Sequence, residues 1–223
     1  MKKAILTTIL LIIADQVLKI WVKLNMTINE AIPEYGAKFL ELRFVENEGM
    51  AFGWALPGDK GKLLLTVFRI VAVVAIVFYM RRLNRQKAHP GLIVSVGFIL
   101  AGALGNIIDS VFYGVLFSSS YHEVAQFLPD GGGYADFLMG HVVDMFHFTV
   151  RWPEWMPFID GTPEIFQPIF NLADSAITCG VAWIIIRQRT FFATPVKEEV
   201  ESHSANDNEA IPTVEPGANE LNS

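Results

Sequence analysis

Four apolar runs, at about 4–24, 63–80, 92–112 and 167–186, constrain this chain more than any other feature. Each approaches the ~20 residues a helix needs to cross a bilayer. In hydrocarbon the backbone must satisfy its own N–H and C=O groups, so each run is expected to be a helix. The fold expected is a membrane α-helical bundle of four spans. Composition agrees, with 52% of the 223 residues hydrophobic and a mean hydropathy of +0.38, more apolar than an ordinary soluble domain.

The net charge of −6 is not spread evenly. Residues 195–223 hold seven acids and one base, leaving 16 acids and 16 bases in the body. The expected organisation is a membrane domain over 1–194 and an acidic tail over 195–223, polar, poor in aromatics and disordered. No basic patch points to nucleic acid. Lys2 and Lys3 precede the first run, Arg81, Arg82, Arg85 and Lys87 join the second to the third, and Arg187 and Arg189 follow the fourth. Basic flanks stay in the cytoplasm, so both termini are expected there and the two long loops outside.

Met1-Lys2-Lys3 and the apolar run behind it could pass for a signal peptide, but no small-x-small cleavage site follows. Asp15 and Gln16 interrupt the run before it resumes, so it reads as a retained helix with polar residues at depth. The single cysteine, Cys179, excludes an intrachain disulfide and reads as a small core residue.

In the first outer loop, 25–62, Leu40, Leu42 and Phe44 alternate with Glu41, Arg43 and Val45, a strand pattern. The second, 113–166, is long and shows no clear element. The third span carries Gly97, Ala101 and Gly105 on one stripe, where helices can approach closely. Gly102, Asn106 and Asp109 share the neighbouring face, and Asn171 and Asp174 share a face of the fourth span.

Two acids draw the chemistry. Asp144 lies in His141-Val-Val-Asp-Met-Phe-His-Phe148, and Asp174 lies in Ile169-Phe-Asn-Leu-Ala-Asp-Ser-Ala-Ile177, which opens the last apolar run. Carboxylates in such surroundings are costly and usually face a protein interior. Two close together share a proton, the arrangement of an aspartic protease.

Phe44-Val-Glu-Asn-Glu-Gly-Met-Ala-Phe-Gly53, Gly102-Ala-Leu-Gly-Asn-Ile-Ile-Asp109, Val142-Val-Asp-Met-Phe146 and Phe170-Asn-Leu-Ala-Asp-Ser175 occur in that order, after Asp15-Gln16 and Lys19. Together they resemble the bacterial lipoprotein signal peptidases (signal peptidase II) from about residue 4 to 187. The resemblance implies a four-helix aspartic endopeptidase of the cell inner membrane, with its active site near the periplasmic face. It would cut signal peptides from prolipoproteins just before a diacylglyceryl-modified cysteine. The catalytic pair falls on Asp144 and Asp174. Asp15, Lys19, Asn47, Asn106, Asp109 and Asn171 are implied as supporting or substrate-binding residues. A small extracytoplasmic sheet and an amphipathic segment would cradle the substrate, using the stretch from Phe39. The expected partners are lipidated precursors and membrane lipids, with the enzyme a monomer needing no cofactor. Two departures stand out: Ser110 occupies a position where the family commonly has arginine, and insertions occur at 117–140 and 151–168.

Three other readings follow from the same residues. Buried carboxylates also mark small transporters and proton relays, but no inverted repeat is evident. His141, Asp144 and His147 could ligate a metal, yet no further ligand cluster accompanies them, and no metal is expected. Ser118–Ser120 could serve a Ser–Lys peptidase, but no lysine pairs with them in the sequence.

Overall fold

A computed structural model describes residues 1–37, 39–47, 58–155 and 164–192. Among these residues, three helices are long and apolar enough to cross a membrane. α1 spans Lys2–Asn25, α2 spans Gly58–Arg85, and α3 (Pro90–Ile108) continues through a π-helical turn, Asp109–Tyr113, into α4 (Gly114–Leu116). α5 covers Leu172–Ile186, a shorter apolar helix, and α6 is one turn, Gln188–Phe191. The segment expected as a basic loop is largely the end of α2, with Arg82 and Arg85 in its last turn, where cations suit the helix dipole. His89 caps α3 by accepting from the Gly91 N–H at 3.0 Å, with Pro90 in the first turn.

Small residues set how closely the helices pack. A Cβ built on Gly102 would lie 2.1 Å from the Ala173 carbonyl oxygen, so α3 and α5 touch backbone to side-chain position. Gly97 faces Ala4 and Thr8 of α1, and the Thr8 hydroxyl donates to the Gly97 carbonyl at 2.9 Å. The stripe thus serves α1, while the adjacent Gly102 face serves α5.

A three-stranded antiparallel sheet, ordered β1-β2-β3, joins the bundle. β1 is Ala31–Ala37, β2 is Leu40–Asn47 and β3 is Val142–Phe148. The alternating stretch from Phe39 is therefore the middle strand. β3 lies in the loop expected to be without elements. Its pattern is near-continuous apolar, because Val143 and Met145 are buried against Val22, Met26 and Phe44 while its other face is covered too. Such a strand lacks the alternation that betrays a half-buried one. Pairing shifts between Leu42–Phe146 and Val45–Asp144, which marks a β-bulge.

The 117–140 insertion packs on the π-helical turn. The Gly140, Leu138 and Ala135 N–H groups donate to the Ser110, Val111 and Gly114 carbonyls at 2.9, 3.1 and 3.0 Å. These bonds satisfy carbonyls that the widened turn does not pair in the α-helical manner. Cys179 is exposed on α5, not a core residue as expected, since α5 packs through Ala173, Ala176 and Gly180 instead. The acidic tail, 195–223, with residues 193–194 before it, and the motif residues 48–53 lie outside the described residues, as do 156–163 of the second insertion.

Candidate active site

The site grows from the first turn of α5. Asn171 is its N-cap and Asp174 its third residue, and they form a capping box: Asn171 Oδ1 accepts from the Asp174 N–H at 2.9 Å, and Asp174 Oδ2 accepts from the Asn171 N–H at 3.2 Å. The Ala173 N–H is taken by Asp15 Oδ1 at 2.9 Å. Asp174 is therefore held in place by the requirements of a helix start.

Asn171 Nδ2 reaches Asp144 Oδ1 at 2.7 Å, Asn106 Oδ1 at 3.0 Å and the Val143 carbonyl at 3.2 Å. Asn106 Nδ2 donates to Asp174 Oδ1 at 2.9 Å. Asn47 Nδ2 donates to Asp144 Oδ2 at 3.2 Å. The two carboxylates thus belong to one amide network in which each of three asparagines donates to at least one of them. Asp144 is 4% exposed. Burial, and then the negative charge of Asp174, push its carboxyl up to about 7.

Beneath this network sits a buried cation. Lys19 Nζ contacts Asp109 at 2.8 Å, Asp15 at 2.9 Å and Asn106 Oδ1 at 2.9 Å, so three acceptors meet its three N–H donors. The i, i+4 pair in the first span is half of a triad completed from α3. Asp109 also accepts from the Val143 N–H at 3.2 Å, which ties the strand bearing Asp144 to the bundle. All six expected supporting residues therefore meet in the same network as Asp144 and Asp174.

Sequence reasoning missed Gln16, whose Nε2 donates to Asp15 Oδ2, the Gly105 carbonyl and Asp109 Oδ1, and whose Oε1 accepts from the Tyr113 hydroxyl at 3.1 Å. An amide within an apolar run was the available signal. The expectation that Ser118–Ser120 lack a lysine is corrected: Lys23 Nζ donates to Ser120 Oγ at 2.8 Å. Both residues are fully buried and Lys23 is ion-paired with Glu46. Their burial makes the pair a structural tie. Burial pushes the Glu46 carboxyl up, but the His141 ring and Lys23 outweigh it and hold Glu46 below the usual carboxylate range.

The histidine motif does not converge. Adjacent strand residues face opposite ways, so His147 and Asp144 lie on different faces of β3. His147 Nδ1 meets Glu41 at 2.7 Å and Nε2 meets Glu164 at 3.0 Å, while His141 Nδ1 meets Glu46 at 3.2 Å.

Residues 7–190 match the family model described as Signal peptidase (SPase) II. The chain belongs to the signal peptidase II family. A lipoprotein signal peptidase of Porphyromonas gingivalis is 43% identical over 183 residues, covering 80% of this chain and 79% of that protein. Another from Amoebophilus asiaticus is 35% identical over 212 residues, covering 92% and 85%. A solved structure described as a bacterial membrane enzyme, determined by the in meso method at 2.3 Å, superposes with a TM-score of 0.59 at 25% identity. That alignment covers 90% of this chain and 96% of its counterpart. Signal peptidase II is an aspartic peptidase, so the proton-relay alternative falls away. Ser110, the departure from the family pattern, is 2% exposed and accepts from Arg69 Nη1 of α2 at 3.0 Å. Its own hydroxyl donates to the Asn106 carbonyl at 2.9 Å.

Proposed function

We propose that this signal peptidase removes signal peptides from prolipoproteins with Asp144 and Asp174 as its catalytic carboxylates. The observation that carries the reading is the asparagine bridge, in which Asn171 touches both acids from a helix N-cap. Near neutral pH the pair shares one proton, and the upward push on Asp144 suits it to the donor's part. Asp174 takes a proton from a water as that water attacks the scissile carbonyl. Asp144 donates its proton to the carbonyl oxygen. As the tetrahedral intermediate collapses, Asp174 gives its acquired proton to the leaving amine and Asp144 regains one from a hydroxyl of the intermediate, which restores the shared proton. Lys19, Asp15 and Asp109 set the floor of the site, and Asn47, Asn106 and Asn171 orient the carboxylates.

The scissile bond in this reading precedes a diacylglyceryl-modified cysteine, presented from the bilayer against a cradle formed by the sheet. The eight bases at the helix ends support cytoplasmic termini in the inner membrane and an active site at the periplasmic face. α5 is 15 residues, or about 22 Å at ~1.5 Å per residue, short of a ~30 Å core. We read α5 and α6 together as the fourth crossing. The enzyme acts as a monomer, and its peptidase domain spans 1–194, with the acidic tail dispensable.

The test uses purified protein, a diacylglyceryl-modified precursor and its unlipidated twin. Cleavage of the lipidated form alone is expected, abolished in Asp144→Asn and Asp174→Asn with folding intact. Normal turnover by either variant would refute the assignment.

A further inference from the structure

A cation inside an apolar helix is expensive and normally answers to something specific. Arg69 lies within the second span, yet among the described residues no carboxylate comes within the 4.0 Å of an ion pair with it. Its one recorded hydrogen bond is from Nη1 to Ser110 Oγ at 3.0 Å. Three residues before it on α2, the Thr66 hydroxyl donates to the Leu138 carbonyl at 3.2 Å, so this face of α2 is fastened to the site end of the bundle. Ser110 follows Asp109 directly and lies one turn after Asn106, which itself holds Asp174. The guanidinium is thus fixed by a neutral hydroxyl, one residue after Asp109 and one turn after the asparagine that holds Asp174, and is left with donors that no carboxylate among the described residues occupies.

We infer that Arg69 is a substrate-binding residue: its guanidinium donates to a backbone carbonyl oxygen of the bound peptide beside the scissile bond, and Ser110 positions it. The inference rests on the Asp144–Asp174 reading of the site. The chemistry fits a peptide acceptor because guanidinium has five donors and no acceptor and stays charged. A direct carboxylate partner would have used up those donors. Ser110 takes one and leaves the rest. The same positive charge favours the ionised form of the carboxylate that must accept a proton from water.

The test compares wild type, Arg69→Gln and Arg69→Lys on the diacylglyceryl-modified precursor, with thermal unfolding measured in parallel. Arg69→Gln is expected to lose about 10- to 100-fold in kcat/KM, the effect of one charged hydrogen bond. Its acidic limb of kcat should move to higher pH, because the stabilising charge is gone. A purely structural role would not move that limb. Arg69→Lys keeps the charge but not the fork, so its limb should stay in place while KM rises severalfold. Wild-type kcat/KM and an unmoved limb in Arg69→Gln would overturn the inference. Should Arg69→Gln not fold, Arg69→Lys decides, and a wild-type KM there would overturn it. With wild type active and Asp144→Asn inactive, either negative result counts against Arg69 alone. A wild type that leaves the lipidated precursor uncut would remove the reading of the site itself.

Discussion

Asn171 donates to Asp144 at 2.7 Å across 27 residues of sequence, from a position that exists to cap a helix. One side chain therefore does two jobs. Its Oδ1 starts α5 by accepting from Asp174, and its Nδ2 holds the carboxylate of β3 against that start.

Those two jobs can be separated. Serine caps a helix about as well as asparagine but cannot reach Asp144. Asn171→Ser should keep the helix capped, lower kcat by about 10-fold or more through the lost hydrogen bond to Asp144, and lower stability by no more than the ~1–3 kcal/mol of its other buried Nδ2 contacts. Steady-state cleavage and a thermal melt on the same preparation check this.

The raised Asp144 carboxyl gives a pH dependence of activity. It titrates at about 7 in the folded protein against 3.8 ordinarily. Activity should fall as pH rises through about 7, where Asp144 loses the proton it must donate. A pH–rate profile with no alkaline limb near neutrality would contradict this role.

The same group sets a pH dependence of stability. Between 3.8 and about 7 the folded protein retains a proton that the unfolded chain has released. Stability therefore declines with rising pH across that window. Asp144→Asn removes this term, so its melting temperature relative to wild type should climb from pH 4 to pH 8. A difference that is flat with pH would count against the raised carboxyl.

Lys19→Met should be among the most damaging changes. It leaves Asp15 and Asp109 buried without their cation, a loss on the order of 3–5 kcal/mol. Unfolding in detergent, followed by melting temperature, measures it.

Gly102→Ala places a methyl 2.1 Å from the Ala173 carbonyl oxygen. α3 and α5 must move apart, at about 1–3 kcal/mol for overpacking. Asn106 and Asp174, on those same helices, should lose their 2.9 Å contact, so activity should fall more than stability. Equal activity at a lowered melting temperature would show that the site tolerates the shift.

The apolar runs alone determined the helices of this protein, because hydrocarbon offers the backbone no other partner. The spacing that puts Asn171 and Asp174 on one face likewise foretold a local pair, and Asp15 meets Lys19 by the same rule, since helical neighbours three and four apart meet by geometry. β3 was hidden, because a strand buried on both faces carries no period. Only the tertiary structure decided that Asp109 would complete the Lys19 triad and hold β3, that Lys23 would meet Ser120, and that Arg69 would reach Ser110 from α2. Those contacts join segments tens of residues apart. The close approach at Gly102, the π-helical turn after Ile108 and the folding of 117–140 back upon that turn bring them together, and no local pattern encodes such distances.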